Sequence, residues 1–445
     1  MNAEVDVASA RAGSRPSLLE STFFAVPGSD ALVAVAADLD GNTFVAGLGG
    51  FPPHLGAVPV VLGSSVDDPY IAKLSPEREV LSLTYLGGSG PDGISDLGVD
   101  AAGNIYIAGT TQSSDFPVVA PPVPPAAFAE SMVYVAKIDA AGSRLVYSTL
   151  LGRYDAGDQV RLAVTPDGVA TVVTTTRSHE WPVANAVQPA LNGYQNAVVT
   201  SVAADGSHLV FSTYLGSDLI DWATDVAVDA AGDVYVTGRS TGAGAIPGAQ
   251  PLFPSRITGF DDGFVVKLAA DGSAIRYATI IGGRNLDSVS AVAVDAAGSA
   301  YVTGRAQKPL EMDRYLQTTG TVNHDYAYVI KLSPDGARPL YATAVSGGAG
   351  DEGRHIAVDA RGAATVVGVT ASLTFPVTNA WQNEISYDRR YTRPAEEIFV
   401  AKLTPAGTAF AFATYHGGVG EEFANAIATD AVGVASAISL AIHGP

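Results

Sequence analysis

The chain contains no cysteine. Disulfides, thiolate metal sites and cysteine nucleophiles are excluded together. Positive charge is scarce: 25 Lys+Arg stand against 45 Asp+Glu, a formal charge of −20 over 445 residues. A phosphate backbone needs a basic surface, so no nucleic-acid partner is expected. Long hydrophobic runs are also missing. The longest apolar stretch near an end, residues 431–442, is broken by Gly433, Ser436 and Ser439. It falls short of the ~20 residues a membrane helix needs, so no membrane span is expected. Met1–Ser14 shows no basic segment leading into an apolar one, so the chain as it stands reads as cytoplasmic. What is plentiful is apolar and turn-forming. A hydrophobic fraction of 47% with 48 Gly and 26 Pro provides for a core and argues against wholesale disorder.

The dominant signal is an internal repeat. An apolar strand, a small acidic turn and a second strand recur as V-A-A-D-L-D-G-N-T-F-V-A-G, L-G-V-D-A-A-G-N-I-Y-I-A-G, V-A-V-D-A-A-G-D-V-Y-V-T-G and their variants. The turns open at Asp38, Asp100, Thr165, Asp229, Asp295, Asp359 and Asp430, a spacing of about 65 residues. After a long variable segment come a third strand, such as Tyr134–Ile138, a tight turn and a fourth strand, such as Leu145–Leu151. Asp/Gly turns between alternating β-branched and aromatic runs are hairpin signals. The expected fold is all-β: a seven-bladed β-propeller with four antiparallel strands per blade, one domain over 1–445. Val5–Ser9 and Leu18–Phe24 match the third and fourth strands of the repeat, and Asn425–Ile442 the first and second. The last blade is therefore expected to close from about 3–25 plus 425–442, a clasp that removes open edges.

Asp100–Val118 (D-A-A-G-N-I-Y-I-A-G-T-T-Q-S-S-D-F-P-V) and Tyr134–Thr149 (Y-V-A-K-I-D-A-A-G-S-R-L-V-Y-S-T) resemble the bacterial beta-propeller repeat family SBBP. The third and fifth copies depart most, at Thr165 and at Leu310–Tyr315. The resemblance implies a propeller, often in secreted or cell-surface proteins, and implies no single activity.

Strand order places the connections between strands two and three, and between blades, on one face. Those segments are long and variable, so binding is expected there. Two residues before each turn opener stand small residues: Ala36, Gly98, Ala163, Ala227, Ala293, Ala357 and Ala428, as close packing round an axis requires. Four before stand Ala34, Asp96, Arg161, Asp225, Ala291, His355 and Ala426. Asp96, Arg161, Asp225 and His355 are the catalytic candidates if the chain is an enzyme; the structural alternative is mutual pairing. Eight before stand Asp30, Asp92, Asp221, Asp287, Asp351 and Glu422, with Asp158 shifted by one. These acids either bind backbone N–H groups in their own loops or form a cation-attracting ring, with calcium as the candidate ion. No other cofactor and no fixed metal site is expected.

Several motifs are discounted. Gly88–Gly93 and Gly348–Gly353 fit G-x-G-x-x-G but open no helix after a strand in a βαβ unit. Lys73, Lys137, Lys267, Lys331 and Lys402 share one repeat position and read as scaffold. Trp181 of His179-Glu180-Trp181 takes the place of Phe116 in the preceding blade. The most individual groups are Asp313, Arg314 and Tyr315 in the fifth blade and Arg389, Arg390 and Tyr391 in the sixth, joined by Trp222, Glu352, Arg354 and Phe423. Arg forks and aromatic rings suit carboxylates, sugars or peptide surfaces. The leading expectation is a monomeric binding propeller taking a small molecule, glycan or protein surface. Its rival is a metal-independent hydrolase, isomerase or cyclase with a pocket at the channel mouth.

Overall fold

The computed structural model describes residues 4–9, 17–23, 31–49, 60–62, 68–77, 79–121, 130–154, 159–242, 245–253, 261–282, 286–307, 314–316, 325–385, 396–417, 421–429 and 435–442. Strands and tight turns dominate, as the period-two pattern requires. Six consecutive sheets form, each with four antiparallel strands running outward in chain order. Blade two is representative: Asp92–Val99 is innermost, followed by Ile105–Thr111, Met132–Ile138 and Leu145–Arg153. The innermost strands of the other blades are Ala31–Ala37, Arg161–Val164, Asp221–Val228, Asp287–Val294 and Asp351–Val358. Neighbouring sheets pack face to face. Val265 and Tyr235 of blade four, for example, share a core with Val302 and Tyr328 of blade five, all fully buried.

The blade count corrects the sequence reading: among the described residues there are six complete blades, not seven. Glu4–Ser9 pairs with Ser17–Phe23, and Glu421–Thr429 with Ala435–Ile442, as two separate two-stranded sheets. No ladder joins these hairpins among the described residues, so the expected four-stranded closing blade is not formed. Repeat phrases report hairpins, which are local. They do not report whether opposite ends of a chain hydrogen-bond to each other.

The long segments after the second strands also run differently from expectation. Val60–Val61, Ala249–Pro251 and Arg314–Leu316 pair in parallel with the outermost strands of blades one, four and five. Bridges Val119–Ser148, Ala184–Ser212 and Thr378–Ala413 do similar work in blades two, three and six. Part of each segment thus covers the outer edge, where unpaired backbone groups would invite aggregation.

At the tight-turn face the repeat phrase becomes an electrostatic node. Asp100, Asp229 and Asp295 accept hydrogen bonds from the phenols of Tyr106, Tyr235 and Tyr301 at 2.9, 3.0 and 3.1 Å. They pair with Lys137, Lys267 and Lys331 at 3.4, 3.0 and 2.9 Å, and each ammonium lies over the adjacent Tyr ring. Burial opposes ionisation of Asp229, but bonds from Lys267 and Tyr235 outweigh it and hold the carboxyl below its usual range. Each phenol also lies within hydrogen-bonding distance of a carbonyl on the next blade: Gly168, Gly298 and Gly362, at 3.0, 3.0 and 3.3 Å. The shared lysines are therefore scaffold. Trp181 is buried, with its indole N–H donating to Thr200 at 3.0 Å.

Candidate functional site

One irregularity, repeated round the ring, shapes the channel mouth. In five blades the ladder between the first two strands skips a residue, between Leu32 and Ala34, Ile94 and Asp96, Ala223 and Asp225, Val289 and Ala291, and Gly353 and His355. The extra residues, Val33, Ser95, Thr224, Ser290 and Arg354, form β-bulges, which turn a side chain away from the regular alternation. All five line a single cavity of about 760 Å³.

Glycine permits the bulge. The residue paired just before each skip is Gly47, Gly109, Gly238, Gly304 or Gly368. A Cβ at Gly109, Gly238, Gly304 or Gly368 would stand 2.0 Å from the carbonyl oxygen of Gly93, Trp222, Ser288 or Glu352. The glycine ending the phrase Y-V-T-G thus shapes the mouth. In blade three Thr174 occupies that position, and the inner strand is only Arg161–Val164 with an unbroken register.

Of the sequence candidates, the structure brings Arg161, Trp222, Glu352, Arg354 and His355 to this cavity. Arg239 and Gln159 join them and were not foreseen. Arg239 lies 4.0 Å from the centroid of Trp222 and pairs with Asp261 at 3.3 Å. Its signal was available: it directly follows the phrase glycine Gly238. Arg161 donates to Gln159 and, at 3.4 Å, to the carbonyl of Thr224 on the next blade. Glu352 and Arg354 stand 4.0 Å apart.

Asp96 and Asp225 do not line the cavity. Half-buried beside the bulges, each clasps the following blade: Asp96 accepts from Leu162 N–H and Asp225 from Val292 N–H, both at 2.9 Å. Burial pushes both carboxyls up while Arg161 pulls them down; Asp225 is pushed up to about 6, with Asp96 adding to the rise. The folded Asp225 therefore takes up its proton at higher pH than the unfolded chain does. This group's contribution to stability must rise as pH falls from about 7 towards about 5, by roughly 1–2 kcal/mol. Urea unfolding across that range should show the rise in the wild type and a flatter profile in Asp225→Asn. Equal profiles would contradict the assignment.

Arg314 and Tyr315 lie on the outer edge strand of blade five, paired with Thr343 and Ala344. Phe423 lies in the strand Glu421–Thr429, and its side chain is outside the described residues. Asp313, Arg389, Arg390 and Tyr391 also fall outside them. The inter-blade acids turn to their own surroundings. Asp92, Asp221 and Asp351 accept N–H groups of Gly88, Ser217 and Gly347 at 2.6, 2.7 and 2.9 Å, and Asp287 accepts from Gln307 at 3.2 Å. Asp30, Asp158 and the side chain of Glu422 are outside the described residues. Among the described residues, no group of three or more His, Asp or Glu is arranged to hold a metal ion, and no helix is long and apolar enough to cross a membrane.

Fold and site together define a β-propeller with a cavity of mixed polar and apolar lining at one end of its inner strands. Two stretches, residues 83–117 and 210–244, match the beta-propeller repeat family SBBP. Each runs from the fourth strand of one blade through the first hairpin of the next. The chain carries SBBP beta-propeller repeats at both places. No curated protein matches it. Similar solved structures include the Dos1 propeller, at 10% identity and TM-score 0.43, covering 93% of this chain and 92% of that one. Another is a family PL25 polysaccharide lyase, an ulvan lyase, at 10% identity and TM-score 0.45, covering 90% and 88%. Hydrazine synthase from Kuenenia stuttgartiensis is similar at 11% identity and TM-score 0.43, covering 78% and 73%.

Proposed function

We propose that the chain is a binding propeller holding a small polar molecule or glycan unit in the mouth of its channel. One observation carries this reading: a single cavity of about 760 Å³ takes side chains from all six blades. That volume lies within the ~300–1,000 Å³ of small-molecule sites. Concavity favours such a ligand over a flat protein surface. Trp222 offers ring surface, while Arg161, Arg239 and Arg354 offer planar donors suited to carboxylates and hydroxyls.

The enzyme reading has one supporting observation, the Asp225 carboxyl pushed up to about 6, which is near the range of a general acid. Against it, that carboxylate binds a backbone N–H of the neighbouring blade and is not a lining group. Binding without turnover fits better.

A thermal-shift panel of organic acids, amino acids and mono- and disaccharides tests the proposal. A ligand of the folded state raises Tm in proportion to RT ln(1 + [L]/Kd). Trp222→Ala and Arg161→Ala are each expected to abolish the shift of every true ligand. Ligands whose shifts survive both substitutions would refute a mouth site. Chemical conversion of a bound ligand over hours would move the assignment to the enzyme.

A further inference from the structure

Blade three breaks the node that the tight-turn face repeats. Where blades one, two, four and five place an acid, an aromatic and a lysine, and blade six keeps the acid and the lysine beside Thr365, it has Thr165, Thr171 and Ser201. Thr171 and Ser201 hydroxyls bond to each other at 2.7 Å, and the Thr165 hydroxyl donates to Asp167 at 2.5 Å. None of these short side chains spans to blade four. In blade two, by contrast, Tyr106 reaches the Gly168 carbonyl and Lys137 donates to the Ala204 carbonyl, both at 3.0 Å. The corresponding carbonyls of blade four are those of Gly232 and Ala270. Neither accepts a hydrogen bond from the described residues.

A cavity of about 520 Å³ opens at this place, between the turns of blades three and four. Thr165, Asp167 and Val169 line one side and Gly232, Ala270 and Asp271 the other. Most of its lining residues are apolar, and the two acids among them, Asp167 and Asp271, are exposed. The Gly232 and Ala270 carbonyls are thus acceptors that no donor of the described residues meets. The chemistry that satisfies such acceptors is visible in the same molecule: at the equivalent place blade two supplies an alkyl stem ending in an ammonium.

We propose that this cavity binds a primary alkylammonium group, seated between Gly232 and Ala270 as Lys137 is seated against Ala204. The stem would pack on Val169 while the cation faces the two carbonyls, with Asp167 and Asp271 adding attraction at the rim. The site lies on the face opposite the channel mouth and stands independently of the mouth's ligand.

The test uses the full chain and two amine probes in calorimetric titrations, cadaverine and Nα-acetyl-lysine N-methylamide, with the norleucine analogue as an uncharged control. Saturable binding of either amine, but not of the control, is expected at millimolar affinity, about 1–10 mM. Preference for cadaverine identifies a free amine as the source, and preference for the lysine derivative identifies a protein side chain. Thr171→Tyr/Ser201→Lys supplies the blade's own groups and should weaken binding by at least about tenfold. Asp167→Asn/Asp271→Asn keeps the turns and should weaken it by about threefold or more. It changes the net charge only from −20 to −18, so diffuse attraction of cations would persist. Absence of saturable binding up to about 50 mM, or binding that both variants leave unchanged, would overturn the proposal.

Discussion

Gly238→Ala is expected to destabilise the propeller by about 3–5 kcal/mol, although it adds only one methyl group. The reason is local and has two sides. The new Cβ would stand 2.0 Å from the carbonyl oxygen of Trp222 and 2.4 Å from the ring of Phe264. The first is backbone held in a ladder, and the second is a fully buried side chain in the core between blades three and four. Neither can swing away as an exposed side chain could. Relief requires the first strand of blade four to move off the second, which undoes the bulge at Thr224 and displaces Trp222 from the mouth. Gly93→Ala is the matched control, since its Cβ would meet nothing closer than 3.6 Å; a cost below about 1 kcal/mol is expected. Urea midpoints with Trp fluorescence measure both. Similar costs for the two would mean that the paired glycine is not what shapes the bulge. A ligand that stabilises the wild type should also lose its effect in Gly238→Ala under conditions where the variant remains folded.

The bulge explains which parts of the molecule could be read beforehand. Turn openers such as Asp100 and Asp229 recur in sequence because they carry a local bond set: backbone N–H groups, a Tyr phenol and a Lys ammonium. Residues two before the opener, such as Ala227, fall in phase with strict alternation. Beyond that the phase breaks. Leu97 and Ile94 are both buried although they are three residues apart, because Ser95 is extra. Counting back by twos therefore reached Asp96 and Asp225, which clasp neighbouring blades, and passed over Ser95 and Thr224, which line the mouth. The phrase glycine was visible throughout, but alternation alone could not say that it faces a carbonyl. Ring closure was illegible for another reason. Hairpins are read from contiguous residues, whereas a ladder between Glu4–Ser9 and Ala435–Ile442 would depend on geometry accumulated over the whole ring. In the structure those strands pair only within their own hairpins.

Asp351→Ala is expected to cost about 4 kcal/mol or more, the second large effect, and it separates two roles for the inter-blade acids. The carboxylate is 1% exposed. Its Oδ2 accepts from Gly347 N–H at 2.9 Å, Ser346 hydroxyl at 2.7 Å and Ser372 hydroxyl at 3.1 Å, while its Oδ1 accepts from Thr370. Alanine leaves four donors without this acceptor in a buried corner, at about 1–3 kcal/mol for each that finds no substitute. The hydroxyls can rotate but the Gly347 N–H cannot, so the total lies towards the lower end of that sum. Asp351→Asn keeps one acceptor oxygen and should lose about half as much. Burial, opposed by the Thr370 bond, already raises the Asp351 carboxyl above its usual range. The folded state thus gains protons before the unfolded one, and this group penalises the fold less as pH falls towards the ordinary carboxylate value. The Ala variant should accordingly show its smallest deficit at neutral pH and a growing one on mild acidification. Asp335, exposed on a turn and accepting from Ser333 and Ala337, is the control, with a loss of about 1 kcal/mol or less. A calcium-binding ring predicts something else: a Tm rise in the wild type with millimolar calcium that Asp351→Ala abolishes. With the Asp351 oxygens committed to their own loop, no such rise is expected, and observing one would reassign these acids from loop clasp to metal ligand.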